Sequence, residues 1–184
     1  LWVTYLGSKL GEDYLAVNTI LMQFIILASF LLDAYAFSTE AVVGYTIGKR
    51  VKNAFLTVVL NSFKLSIFSS LIISFLYLLT FQLIIDELTN LDYLKFLAFN
   101  YIFWIIIIPP IASICYQFDG IFIGASQTAE MRNGMIISVV LFLLSSKLLI
   151  SNFGNHGLWL ALLFFMIVRS VTLNYYFNRI LKKF

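Results

Sequence analysis

The stretch LAVNTILMQFIILASFLLDAYAFSTEAVVGYTI (15–47) is almost wholly apolar, and its only charged residues are Asp33 and Glu40. About 30 Å of hydrocarbon divided by 1.5 Å per helical residue asks for roughly 20 apolar residues, so this run is long enough to cross a bilayer as a helix. Four further runs of the same kind follow, at 54–85, 93–124, 134–150 and 157–178. The breaks between them are GKRVKN (48–53), DELTNLD (86–92), SQTAEMRNG (126–134) and SNFGNHG (151–157). Each is short, polar and rich in turn residues, which predicts antiparallel neighbours. Several runs exceed twenty residues and imply tilt, a kink or an extension beyond the membrane.

Composition agrees with the runs. Of the 184 residues, 61% are hydrophobic and 11% charged, whereas a soluble domain carries about 25% charged residues. Mean hydropathy is +0.96. A transmembrane barrel needs alternating segments of about ten residues, and these runs are continuous. The expected fold is therefore an all-α polytopic membrane bundle with five full spans, a single transmembrane domain over 1–184. One cysteine, Cys115, excludes an internal disulfide. The basic residues are scattered or sit in short loops, a pattern that does not suit nucleic acid. The opening LWVTYLGSKLGEDY has no basic n-region and no small-residue cleavage site, so it reads as the tail of an apolar helix rather than a signal peptide. Because the first residue is Leu1, the sequence is expected to begin in mid-chain.

Lys and Arg in short loops set orientation. GKRVKN holds Lys49, Arg50 and Lys52; the loop near 130 holds Arg132; the tail holds Arg179, Lys182 and Lys183. DELTNLD and SNFGNHG hold no base, and only Lys9 and Lys95 count against the assignment. A cytoplasmic C-terminus in the plasma (inner) membrane follows as the expectation.

A charged side chain at the bilayer centre costs about 2.5–3.5 kcal/mol on insertion scales, so charges within spans usually face a cavity or a partner. Asp33 and Glu40 are seven residues apart, two turns on one helix face, with Ala36, Phe37 and Gly44 on the same stripe. They read as a proton or cation relay, against a plainer reading in which the helix protrudes and leaves Glu40 in water. Asp119 lies between Phe118 and Gly120 in FWIIIIPPIASICYQFDGIFIGA. Pro109 and Pro110 are expected to kink that helix and to free carbonyls near Ile105 and Ile106. Broken helices with exposed carbonyls are how transporters build sites near the midplane. Lys64 and Arg169 are the candidate partners for these acids, and Lys64 shares a stripe with Asn61 and Thr57, which suggests a side facing a cavity. His156 has no second ligand at metal spacing, so it is expected to be a surface histidine. No metal motif, phosphate loop or nucleophile–base constellation is present in the sequence, and no enzyme is expected.

Two segments carry a family likeness. LAVNTILMQFIILASFLLDAYAFSTEAVVGYTIGKR (15–50) resembles the eighth helix and following cytoplasmic turn of the multidrug and toxic compound extrusion (MATE) transporters, in their DNA-damage-inducible branch. FDGIFIGASQTAEMRNGMIIS (118–138) resembles the end of the tenth helix and the loop after it. The resemblance implies a twelve-helix antiporter of two six-helix bundles. The present spans would be the eighth to twelfth helices, residues 1–8 the end of the seventh, and the partner the six-helix N-terminal half. It implies export of small organic cations or drugs in exchange for H⁺ or Na⁺, with no other cofactor, by alternating access. It makes Asp119 the match to a coupling-ion acid, with Asp33 and Glu40 as further candidates, and leaves a coupling acid on the first helix outside this chain. Two rival readings are a flippase of lipid-linked oligosaccharides from the same superfamily and a non-transporting membrane subunit that binds a partner through polar helix contacts.

Overall fold

The computed structural model describes residues 2–184, and among these the chain is helical with no strand. The elements are α1 (Trp2–Leu10), α2 (Glu12–Gly48), α3 (Lys52–Leu88), α4 (Asp92–Phe99), α5 (Ile102–Gly124) and α6 (Thr128–Leu181). Of these, α2, α3, α5 and α6 are long and apolar enough to cross a membrane. At 37 residues each, α2 and α3 would extend roughly 55 Å, well past the hydrocarbon, so they tilt or protrude.

Two breaks differ from the sequence reading. The run 93–124 is divided at Asn100–Tyr101, which makes α4 a separate short helix. Apolar residues continue across that break and hide it in the sequence. The stretch SNFGNHG, read as a seven-residue loop, is helical on both sides of a single residue, Gly154, at φ 55° and ψ −132°. There α6 turns back on itself. Gly157 approaches the Leu149 backbone, Phe142 packs edge-on against Phe165 at 5.8 Å, and Arg179 bonds Glu130 at 3.0 Å. These contacts define an antiparallel hairpin with arms at 128–153 and 155–181, so the bundle has five long rods.

Gly154 permits this turn because its backbone lies in a region that only glycine enters at low cost. A Cβ built there would meet nothing within 4 Å, so substitution acts through the backbone alone. Gly154→Ala is expected to cost about 1–3 kcal/mol and to lower the thermal unfolding midpoint of the purified protein. An unchanged midpoint would mean that the hairpin turns elsewhere.

Within lipid, apolar side chains gain little by leaving the hydrocarbon for a helix interface, so helices associate through close packing and polar contacts. The chain uses both. α5 lies at the centre, packed against α2, α3 and α6. A Cβ at Gly120 would stand 2.9 Å from the Ala36 carbonyl carbon, and one at Gly124 3.0 Å from Glu40 Cα, so α2 and α5 meet backbone to backbone. Because Ala36 faces Gly120 and Glu40 faces Gly124, the two helices run parallel. Near the Gly154 turn, Asn18 and Asn155 exchange amide hydrogen bonds of 2.6 and 3.0 Å, and Trp159 Nε1 donates to Asn18 Oδ1 at 2.9 Å.

The apolar interior is divided in two. One cluster, around Phe24, Tyr77, Phe81, Ile105 and Trp159, occupies the Gly154 end; the other, around Val43, Phe55, Phe122 and Leu173, occupies the opposite end. Most of the buried polar and charged side chains in the middle of the bundle lie between them. Outside, many large apolar side chains are exposed, among them Phe30, Phe68, Leu83 and Leu144, as a lipid-facing surface requires.

Candidate functional site

Asp119 and Arg169 come together in the middle layer. Arg169, on the second arm of α6, donates from Nη2 to both carboxylate oxygens of Asp119 at 2.8 Å. The side chains are 9% and 17% exposed respectively. Nη1 donates to the Met135 sulfur at 3.1 Å, while Nε has no partner among the described residues. A charge-assisted bond of this length is among the stronger ones. Its removal from one side would strand a charge out of water. The pair ties α5 to both arms of the α6 hairpin.

The freed carbonyl at Ile106, whose usual donor is replaced by Pro110, accepts Ser74 Oγ at 2.7 Å. α5 continues through Pro109 and Pro110 as helix, with α3 supplying the donor that the second proline lacks. On the α2 side, Thr39 Oγ1 lies 2.8 Å from Gln117 Oε1, and Ser69 Oγ donates to the Tyr35 hydroxyl at 2.7 Å.

The other sequence candidates are placed apart from the pair. Asp33 and Glu40 are half-buried on α2 and make no ion pair or side-chain hydrogen bond among the described residues. Their shared stripe is divided. Ala36, Glu40 and Gly44 line the contact with α5, but Phe37 is 68% exposed and points away from the bundle. Lys64 is exposed and forms no ion pair among the described residues, so it is not the partner of an acid. Asn61 lies in an open groove of about 270 Å³ between α2 and α3, with Ser38, Thr39, Thr57 and Ser62. His156 is exposed and accepts a hydrogen bond from Trp104 Nε1 at 3.1 Å. Sequence reasoning missed Met135, Gln117 and the Asn18–Asn155–Trp159 cluster. The available signal was the presence of amide side chains within apolar runs, where they bond across helices.

A larger cleft of about 550 Å³ opens between α3, α5 and the second arm of α6. Its walls are mainly apolar and include Phe63, Ile114, Phe118 and Val171, with Ser170 and Asn174 as the polar members. Phe118 and Ser170 are the chain neighbours of Asp119 and Arg169, so the cleft adjoins the pair.

Long apolar helices around a buried ion pair and an adjoining cleft define a helical membrane bundle with charge inside its spans. The MatE family profile matches residues 1–149, and the chain belongs to that family, whose members are transporters and not enzymes. It is similar to the DNA damage-inducible protein F of Escherichia coli (strain K12), with 38% identity over 171 residues. That alignment covers 93% of this chain and 37% of the relative, so the chain spans little more than a third of the relative's length. No solved structure matches.

Proposed function

We propose that this chain is the C-terminal bundle of a twelve-helix antiporter that exports organic cations or drugs in exchange for H⁺ or Na⁺. An N-terminal six-helix half completes the central cavity, and the spans are the five runs read from the sequence. The Asp119–Arg169 pair carries the proposal. Arg169 holds the negative charge of Asp119 when no coupling cation is present. A proton or sodium ion reaching Asp119 competes with the guanidinium, releases it, and loosens α5 from the α6 hairpin. Rocking of one bundle against the other then follows from a change in one ion pair. Asp33 and Glu40, the acids without partners, are the sites from which a cation passes to Asp119.

Substrate binds in the 550 Å³ cleft, whose aromatic and aliphatic walls suit the apolar body of an organic cation. Orientation rests on charge. Lys183 bonds the Ala125 carbonyl and Phe184 packs against Phe55 at 5.1 Å, so the tail, the GKRVKN turn and the turn before α6 share one end. That end carries most of the loop Lys and Arg, and its assignment to the cytoplasm follows the positive-inside rule.

The test is the double variant Asp119→Asn with Arg169→Gln in the complete protein, which removes both charges and keeps hydrogen-bonding groups. Membrane abundance is expected to stay near normal, while substrate efflux driven by an imposed proton or sodium gradient falls at least about tenfold, the equivalent of 1.4 kcal/mol. Unimpaired coupled efflux would make the pair a strut and place coupling elsewhere, whereas a loss of membrane abundance or assembly would bring the non-transporting subunit reading forward.

A further inference from the structure

Beside Arg169 Nε, two polar groups of fully buried residues in the middle layer have no hydrogen-bond partner among the described residues. They are Ser66 Oγ on α3 and Gln117 Nε2 on α5, both at 0% exposure. For Gln117 the deficit survives a turn of the amide. The Thr39 hydroxyl lies 2.8 Å from both the Tyr35 carbonyl and Gln117 Oε1, and it has one proton to give. If that proton goes to Tyr35, the amide turns so that Nε2 donates to Thr39, and Oε1 becomes the atom without a partner.

The helix register brings Ser66 and Gln117 to one level. α3 and α5 run antiparallel, with Phe63 against Phe118 and Ser74 against the Ile106 carbonyl. Ser66 then stands level with the turn between Ser113 and Gln117, which are four residues apart on one face of α5. Their height difference is less than the span of two hydrogen bonds made through one water.

A groove approaches both. The groove between α2 and α3 is lined by Thr39, which touches Gln117, and by Ser62, which precedes Ser66 by one helical turn. Most of its wall is apolar, and Ser38, Thr39 and Thr57 bond carbonyls of their own helix, but the Asn61 amide and the Ser62 hydroxyl make no hydrogen bond among the described residues and call for water or a polar partner. We propose that this groove is hydrated and that its inner end binds an ordered water bridging Ser66 and Gln117. Water suits the site because it donates and accepts, and so satisfies either orientation of the amide. A metal cation does not. The two groups to be bridged, Ser66 and Gln117, are neutral, and an ion held by them would lose its hydration for neutral ligands only.

The decisive variant is Ser66→Ala, read by thermal unfolding of the complete purified protein, with a high-resolution density map of the unmodified protein beside it. A bound water makes the hydroxyl useful, so the midpoint is expected to fall by roughly 2–4 °C, and density for one water is expected within hydrogen-bond distance of Ser66 and Gln117. A dry site predicts the reverse, because removing an unpaired buried hydroxyl relieves an uncompensated desolvation. An unchanged or raised midpoint, or an empty map, overturns the proposal. So does a midpoint that rises when sodium replaces N-methylglucamine at constant ionic strength and loses that dependence in Ser66→Ala, since the occupant would then be an ion.

Discussion

Replacing Arg169 with glutamine, and nothing else, is expected to cost the folded protein about 3–5 kcal/mol. Asp119 would be left out of water with no cation in reach, either holding an unpaired charge or taking up a proton at a cost, because Lys64 is exposed on α3 and no other base forms an ion pair with it among the described residues. The neighbouring thioether of Met135, which meets Arg169 at 3.1 Å, is a weak acceptor and cannot serve a carboxylate. The consequence differs from a surface pair, whose loss costs at most about 1 kcal/mol. The pair of Lys95 and Asp86, 2.8 Å apart near the end of α3, supplies that comparison, since Asp86 is 46% exposed. Lys95→Gln should therefore leave abundance and unfolding midpoint nearly unchanged while Arg169→Gln sharply reduces both. Adding Asp119→Asn to Arg169→Gln should restore most of the loss, because the stranded charge disappears. If the double variant were as unstable as the single one, the guanidinium would matter for its packing rather than for its charge.

That pairing shows what the sequence could and could not disclose. Arg169 and Lys64 were both candidates on paper, cations two to three turns inside an apolar run, and the stripe with Asn61 and Thr57 favoured Lys64. Only the rotation of each helix about its axis decides between them, and helices that are apolar nearly all round give no amphipathic signal of that rotation. The same ambiguity affects Phe37, which shares a broad stripe with Ala36 yet points out of the bundle. Run lengths were legible because hydrocarbon thickness imposes them. The division at Asn100–Tyr101 was not, because the residues on both sides of it stay apolar, and the turn at Gly154 was legible in position but not in size. The family motif D-G-I-F-I-G was readable as a resemblance; its physical basis, a backbone contact between α5 and α2 at Gly120 and Gly124, became apparent only from the packing.

From that contact follows the second large effect. Gly120→Ala and Gly124→Ala are each expected to destabilise the bundle, although alanine is the better helix former by about 0.8–1.0 kcal/mol. The propensity gain is outweighed because the new methyl meets backbone: the Ala36 carbonyl in one case, the Glu40 carbonyl and Cα in the other. A side chain could rotate away; a helix backbone cannot, so α2 and α5 must separate. Overpacking of this kind costs about 1–3 kcal/mol per site, and the Thr39–Gln117 bond at 2.8 Å lies on the same interface and lengthens with it. Gly48 is the control, since a Cβ there meets nothing within 4 Å, and Gly48→Ala should leave the midpoint nearly unchanged. The double variant at 120 and 124 should lose less than the sum of the singles, because the first methyl already opens the gap that the second would need. Unfolding midpoints of the four variants decide the matter: strict additivity would mean that the helices deform locally at each glycine, with no rigid-body separation of α2 from α5.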